Sequence, residues 1–445
     1  MERSRLAGSS LWLPGLAVAI LLAAGGAWGQ AEWTKYDDNP VLEAGAPGEW
    51  DQGGVASGAV LFDGTTYHLW YAGVRSSYEE TDIGYATSPD GLTWTKYAGN
   101  PVLERGSSGA WDALWVQPRA ILWDGSTYRL WYIGGPSPGM ADDIQTGYAS
   151  SPDGVTWTKH PANPVLAVGE AGSWDEGSAA ITSVLAEGGT FRAWYFGWTG
   201  QEGDDDAIGY ASSPDGVTWT KRPEPVLRHG SGWEANAVGT PSVALSNGVY
   251  HMWYAGWGAS PQVGHAASAD GIHWARQPAH EPVLHHGEAG AFDEGGATGP
   301  QVLLVGDTAH MWYAGVGGDG HWSLGHATAP LPFPQAPLLL NDGRFSVEST
   351  WWTAAGGFGY GDPFPLTEDS GAFTFFDPHN IELLVKVLDG CAINQRYWVF
   401  AAGLTDVGVS LTVTDTETLE VKIYNSTLGE AFAPVLDTDA FALCE

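Results

Sequence analysis

The chain has 445 residues, 44% hydrophobic and 16% charged, which is enough apolar material for more than one core and too much for a disordered chain. Its 52 acidic and 18 basic side chains give a net charge of -34, which excludes nucleic acid and anionic membrane surfaces, because phosphate binding needs clustered Lys and Arg. With 62 Gly, 27 Pro and 24 Trp beside only 4 Met, short strands and tight turns are favoured over long helices, and the expected fold class is all-β.

The N-terminus reads as an export signal. Met1-Glu-Arg-Ser-Arg5 is basic, an apolar run follows from Leu11 to Ala24, and Ala27-Trp28-Gly29 offers small residues for cleavage near Gly29, with Ala31 as the alternative. No later segment approaches the roughly 20 apolar residues of a membrane span. The mature chain is therefore predicted to be secreted, without a membrane span, and monomeric.

From Trp33 onward one motif set recurs five times. Trp-Asp or a variant stands at Trp50-Asp51, Trp111-Asp112, Trp174-Asp175, Trp233-Glu234 and Phe292-Asp293, spaced by 61, 63, 59 and 59 residues. An aromatic strand follows each: Tyr67 to Gly73, Tyr128 to Tyr132, Phe191 to Tyr195, Tyr250 to Gly256 and Ala309 to Gly315. A third strand carries Gly-Tyr-Ala or Gly-His-Ala, and a Ser-x-Asp-Gly turn such as Ser88-Pro-Asp-Gly91 leads to a fourth near Trp94, Trp157, Trp219 and Trp274. Four strands per period of about 60 residues make one propeller blade, so residues 30–330 are predicted to form a five-bladed β-propeller. The fifth repeat lacks an outer strand, whereas Trp33-Thr-Lys-Tyr36 is an orphan one. It is expected to pair with blade five and close the ring, removing two open sheet edges.

A Pro-rich linker over 331–337 precedes a segment of different texture, 338–445. Alternating runs at Gly371 to Phe376, Ile381 to Leu388, Tyr397 to Ala401, Val409 to Thr414 and Leu419 to Tyr424 predict an accessory β-sandwich. The only cysteines, Cys391 and Cys444, both lie there, and export would allow one disulfide between them.

The Ser-x-Asp-Gly-x-x-Trp turns, the Asn-Pro-Val-Leu connectors at Asn100 and Asn163 and the five repeats together resemble the five-bladed glycoside hydrolases of families 43 and 32 and their relatives, over Trp33 to Pro330. A sialidase Asp-box is similar but has one more residue between its Asp and Gly. The resemblance implies an oligo- or polysaccharide substrate and paired carboxylates about the axis, with an acid on the leaving oxygen and a partner that activates water or attacks. Those families place acids at the heads of innermost strands. Here the corresponding residues are Ser57-Gly58, Gln117-Pro118, Ile181-Thr182, Thr240-Pro241 and Gly299-Pro300, with no carboxylate among them.

Other residues on the same face are then the candidates. The Trp-Asp carboxylates recur in every blade, as a structural contact would, and Asp51 and Asp112 are also the available catalytic partners. Glu176 and Glu294 replace Gln52, Ala113 and Ala235 of the other blades and are the candidate acids. Gln117 and Arg119 alternate on one strand and suit a sugar hydroxyl pair or a carboxylate. Trp115, Trp198, Trp257 and Trp322 suit sugar stacking or, equally, packing between blades. No metal or other cofactor is required. The acidic loops Glu79-Glu80-Thr-Asp82, Asp142-Asp143 and Asp204-Asp-Asp206 are where Ca²⁺ would find oxygens, without a recognisable loop spacing. The expected function is action on a neutral glycan, and the alternative is a glycan-binding or interaction protein that kept the scaffold and lost the acids.

Overall fold

The computed structural model describes residues 33–442 and 444, except 76–79, 138–142, 201–205, 247–248, 269, 279, 332–336, 354–357 and 378–379. The expected signal peptide and nearly all of the linker lie outside the described residues.

Five antiparallel blades form. Blade one contains Gly54–Phe62, Tyr67–Val74, Thr81–Ser88 and Thr95–Lys96. Blade two has Trp115–Trp123, Tyr128–Gly135, Gln145–Ser151 and Thr158–Lys159, and blade three Ser178–Glu187, Thr190–Trp198, Ala207–Ser213 and Thr220–Lys221. Blade four has Ala237–Ser246, Val249–Trp257, Gln262–Ser268 and Ala275–Arg276. Blade five takes Gly296–Val305, Thr308–Val316 and Trp322–Pro330 from the end of the propeller and Thr34–Lys35 from its beginning, with Thr34 opposite Thr328 and Lys35 opposite Ala327. Each innermost strand touches the next, and that of blade five returns to that of blade one. The ring is closed as the orphan N-terminal strand predicted.

The repeated motifs explain this packing. In the first turn, Ser88 Oγ accepts the Gly91 N–H at 2.8 Å and Asp90 Oδ1 accepts the N–H groups of Leu92 and Thr93, while Gly91 takes a φ of +77° that a side chain would resist. The Gly carbonyl exposed by that turn receives an indole from the preceding blade. Trp70 Nε1 donates to Gly154 O at 2.7 Å, and Trp131, Trp194 and Trp312 donate to Gly216, Gly271 and Gly91, each at 2.8 Å. These four indoles are buried, so each bolts two blades together through both apolar area and a shielded hydrogen bond. Each of these indoles also meets the edge of an outer-strand tryptophan, and Trp253 of blade four meets Trp33 in the same way, ring centroids 5.9 Å apart.

The C-terminal part is a two-sheet sandwich. One sheet orders Leu338–Leu340, Phe345–Trp352, Gly408–Asp415 and Val421–Asn425, with Phe358–Tyr360 at its side; the other orders Asp362–Thr367, Ser370–Thr374, Ile381–Asp389, Tyr397–Gly403 and Val435–Phe441. Phe345, Val347, Phe373, Leu383, Val385 and Leu411 are among the side chains that fill the space between them. The Cys391–Cys444 disulfide closes a separation of 53 residues. Among the described residues no helix is long and apolar enough to cross a membrane.

The sandwich meets blade four at a polar contact in which Gln277 Nε2 donates to the Glu348 carboxylate. Burial pushes Glu348 up to about 7 despite that bond. A carboxyl whose folded value is raised stabilises fully below its unfolded value of about 4.3 and loses that contribution as pH rises through 7. Melting temperature is therefore expected to fall between pH 4.5 and 7 in the wild type, and Glu348→Gln should flatten that slope when melts are followed by calorimetry across the range.

Candidate functional site

Each innermost strand bulges at the same level of the ring. The register shifts lie between Ala56 and Gly58, Pro118 and Ala120, Ile181 and Ser183, Gly239 and Ser242, and Thr298 and Gln301. A bulged residue leaves the ladder, and its side chain is re-aimed away from the blade faces. In blade two that residue is Arg119, whose Nη2 donates to Gln117 Oε1 at 2.8 Å, both side chains being buried. In blade three it is Thr182, whose hydroxyl donates to the Pro241 carbonyl of blade four at 2.7 Å. Gln117 and Arg119 are thus brought together as their alternation implies.

Blade four carries the most strained of these residues. Thr240 has a φ of +46°, in the left-handed region that a β-branched side chain avoids at a cost on the order of 1–3 kcal/mol. The corresponding residue of blade five is Gly299, with a φ of +59° and no such cost. Thr240 Oγ1 is shielded from water and has no hydrogen-bond partner among the described residues. The same holds for Ser178 Oγ and Trp198 Nε1, and those two residues face each other as a cross-strand pair in blade three. Three shielded polar atoms without a hydrogen-bond partner among the described residues thus lie on adjoining blades.

The ring is not symmetric at this level. Ser183 Oγ accepts the Val243 N–H at 2.9 Å and Ser242 Oγ accepts the Val302 N–H at 3.0 Å, which joins blades three, four and five. Blades one and two have Gly58 and Ala120 at the matching positions, so that link is missing on the side where Arg119 stands.

The sequence-derived carboxylates have other work. Asp51 is 1% exposed and accepts from the Tyr71 hydroxyl at 3.1 Å and Lys96 Nζ at 2.7 Å. Asp112 does the same with Tyr132 at 3.2 Å and Lys159 at 2.6 Å, Asp175 with Tyr195 at 3.1 Å and Lys221 at 2.7 Å, and Asp293 with Tyr313 at 3.0 Å and Lys35 at 2.6 Å. Glu234 uses Tyr254 and Arg276. Burial and then the adjacent carboxylate drive the phenols of Tyr71, Tyr132, Tyr195 and Tyr313 above their usual range, which keeps them protonated donors. Each latch ties a loop to an outermost strand, and Asp51 and Asp112 are engaged in it as structural anchors.

Glu176 and Glu294 also prove to be repeated features. The Glu176 carboxylate accepts the Gly172 N–H and that of Glu294 accepts the Gly290 N–H, just as Gln52 Oε1 accepts the Gly48 N–H at 2.7 Å. An amide and a carboxylate serve this turn clamp alike, and nothing among the described residues joins either Glu to Asp51 or Asp112.

The four tryptophans divide. Trp115 is wholly buried against Ile133, Ile144 and Ala180 and donates to the Ser137 carbonyl at 3.1 Å, so it is packing between blades and not a stacking surface. Trp198, Trp257 and Trp322 are only half-buried at strand ends on the face where the innermost strands begin. Phe196, two residues before Trp198, lies 6.5 Å from Trp257. The paired imidazoles His251–His265 and His310–His326 bond at 3.1 Å within blades four and five, and burial lowers His251 and His326 to about 4, so they are neutral core partners.

Of the acidic loops, Glu79, Asp142, Asp204 and Asp205 lie outside the described residues. Asp82 is fully buried, with Arg75 Nε at 2.8 Å and the Arg105 N–H at 2.9 Å, and Glu80 pairs with Arg105 at 3.1 Å, so these oxygens are already matched. The one cluster of potential metal ligands among the described residues, Asp389 with Cys391 and Cys444, has its two sulfurs joined to each other.

This architecture is that of the five-bladed propellers of glycoside hydrolases and mannoside phosphorylases. A solved GH130 structure described as containing glycoside hydrolases that target β-1,2 mannosidic linkages in Candida mannan superimposes with a TM-score of 0.53 at 15% identity, over 70% of this chain and 99% of that one. The β-1,2-mannobiose phosphorylase of Listeria innocua gives 0.50 at 15% identity, over 67% of this chain and 96% of that one. In sequence, an uncharacterized protein of Mycobacterium tuberculosis is 34% identical over 181 residues, 39% of this chain and 58% of the relative's length. The 1,2-β-oligomannan phosphorylase of a Thermoanaerobacter species is 27% identical over 131 residues, 28% of this chain and 43% of its own. The chain thus spans less than two thirds of these curated relatives. No family model matches.

Proposed function

We propose that this chain is an exported, carbohydrate-active propeller that takes a neutral oligosaccharide of the β-mannoside class at the mouth of the ring, over Gln117, Arg119, Thr182 and Thr240. The observation that supports the reading is the Gln117–Arg119 hydrogen bond at the bulge of an innermost strand, together with half-buried Trp198, Trp257 and Trp322 at strand ends of the same ring. Sugars offer the complement: hydroxyls for the Gln117–Arg119 pair and C–H faces for the indoles. The β-mannoside class is taken from the names of the sequence relative and the structural neighbours.

A second reading, binding without turnover, is favoured by one specific finding: Asp51, Asp112, Glu176 and Glu294 are engaged in latches and clamps, whereas hydrolysis uses two carboxyls across the bond. The mature chain should be incubated with β-mannan, xylan, arabinan and fructan oligosaccharides, with and without inorganic phosphate. Released sugar and electrophoretic retardation are both read. Retardation by mannosides is expected, weakened at least about tenfold by Arg119→Ala through loss of a charged hydrogen bond. Glu176→Gln should retain both binding and any release, because the amide still accepts the Gly172 N–H. Neither retardation nor release with any glycan would refute both readings.

A further inference from the structure

The sandwich leaves one sheet face uncovered. The inner face of its second sheet holds the core residues Phe373, Leu383, Val385, Val387, Val399 and Ala401. The opposite face carries several large apolar side chains among its polar ones, more than a solvated face ordinarily does. In cross-strand register it runs Phe364, the buried Ala372, Leu384, Ala402; then Thr367, Ser370, Lys386, Phe400, Leu436; then Leu388, Trp398. Phe364 is 56% exposed and Leu436 73%. The one charge in these rows, Lys386, is paired with Asp369 at 3.1 Å.

The strip continues into a groove. The Leu404 N–H donates to the Glu382 carbonyl at 2.7 Å, and beyond that link Phe376, Asn380, Glu382, Leu404, Thr405 and Asp406 line an open depression. Apolar surface and a row of hydrogen-bonding groups therefore lie end to end on one module. Trp398 is held rigidly, with Nε1 donating to Asn394 Oδ1 at 2.8 Å and its ring against Gly390, where an added Cβ would come within 2.4 Å of it. An aromatic fixed in this way loses little freedom on binding.

We propose that this strip docks a neutral polysaccharide chain, apolar sugar faces on Trp398, Phe400 and Phe364 and hydroxyls toward Asn380, Glu382 and Asp406. Area argues against a second copy of the chain. Five strands about 4.8 Å apart, over about four residues each, give on the order of 300 Å², less than half the roughly 800 Å² per partner of a stable protein interface. Charge argues the same way, since each copy would bring a net charge of -34 and the groove carboxylates toward its twin. Those carboxylates also repel anionic polymers and anionic lipid. A small neutral contact suffices for a polymer held at a second place, because tethering raises effective concentration. The proposal rests on the carbohydrate reading of the propeller only for the choice of polymer.

The test uses the full chain with insoluble β-mannan and microcrystalline cellulose in a sedimentation assay, beside soluble mannooligosaccharide titrations that report the propeller mouth. Retention on at least one polymer is expected. It should fall at least tenfold in the double variant Phe364→Ser, Leu436→Lys, whose residues are exposed, and in Trp398→Ala, with soluble binding unchanged within twofold. Unchanged retention in both variants overturns the proposal. So does failure to sediment with either polymer, or a concentration-dependent dimer that Leu436→Lys abolishes. Retention lost in the strip variants while the mouth binds nothing sustains the strip and refutes the mouth instead.

Discussion

Deleting Trp33 through Tyr36 is expected to lower the melting temperature by more than about 10 °C. Three losses coincide. The Thr34–Lys35 strand leaves the edge of Trp322–Pro330, so the ring loses the strand that closes it. Trp33, 8% exposed, no longer covers Trp253, a truncation worth about 3–5 kcal/mol. Asp293, buried beside Tyr313, loses Lys35 and remains a buried anion without its cation, which costs about another 3–5 kcal/mol. Calorimetry of the deletion variant checks this, and an unchanged melt would mean that the ring is held shut by other contacts.

Trp131→Ala should be the most damaging single substitution, at about 4 kcal/mol or more in denaturant unfolding. The indole is buried between blades two and three, and its removal leaves a cavity beside Tyr148, Phe191 and Trp219 as well as an unpaired Gly216 carbonyl. Trp131→Phe keeps part of the apolar area and loses the hydrogen bond, so it should cost about 1–3 kcal/mol less than the alanine variant. Equal losses in the two variants would show that the hydrogen bond and not the packing holds the blades. No loss in either would contradict the inter-blade bolt.

The propeller was legible because its information repeats. Five copies of a strand pattern average out local ambiguity, and the missing outer strand of blade five matched the spare one at Trp33. The bolt itself was hidden: Trp70 and Gly154 lie 84 residues apart, and neither residue type announces its partner. The latches were half visible. Recurrence marked the Trp-Asp carboxylates as structural, but the Tyr and Lys that saturate Asp51 stand 20 and 45 residues downstream, beyond any local pattern.

At the site, reading Glu176 and Glu294 as departures from symmetry overlooked that Gln52 presents the same acceptor to the same turn. Chemistry, not charge, was the repeated quantity. Trp115 could not be told from Trp198 by position, since burial depends on Ile144 and Ala180 of neighbouring strands. Thr240 was detectable in principle: aligned with Gly299 before a proline, it is a β-branched residue where the sister blade uses glycine. In the sandwich, Phe345–Trp352 escaped notice because Ser346, Glu348 and Thr350 interrupt its apolar residues, although Ser346 is itself buried.

The most direct test of the account is a calorimetric titration of the mature chain with neutral β-linked mannooligosaccharides, run in parallel on Arg119→Ala. Saturable binding by the wild type, weakened at least about tenfold in the variant while the variant still melts cooperatively above the assay temperature, is the predicted result. Equal affinity in the two proteins, or no heat from any neutral oligosaccharide, would contradict a glycan site at the mouth of the ring.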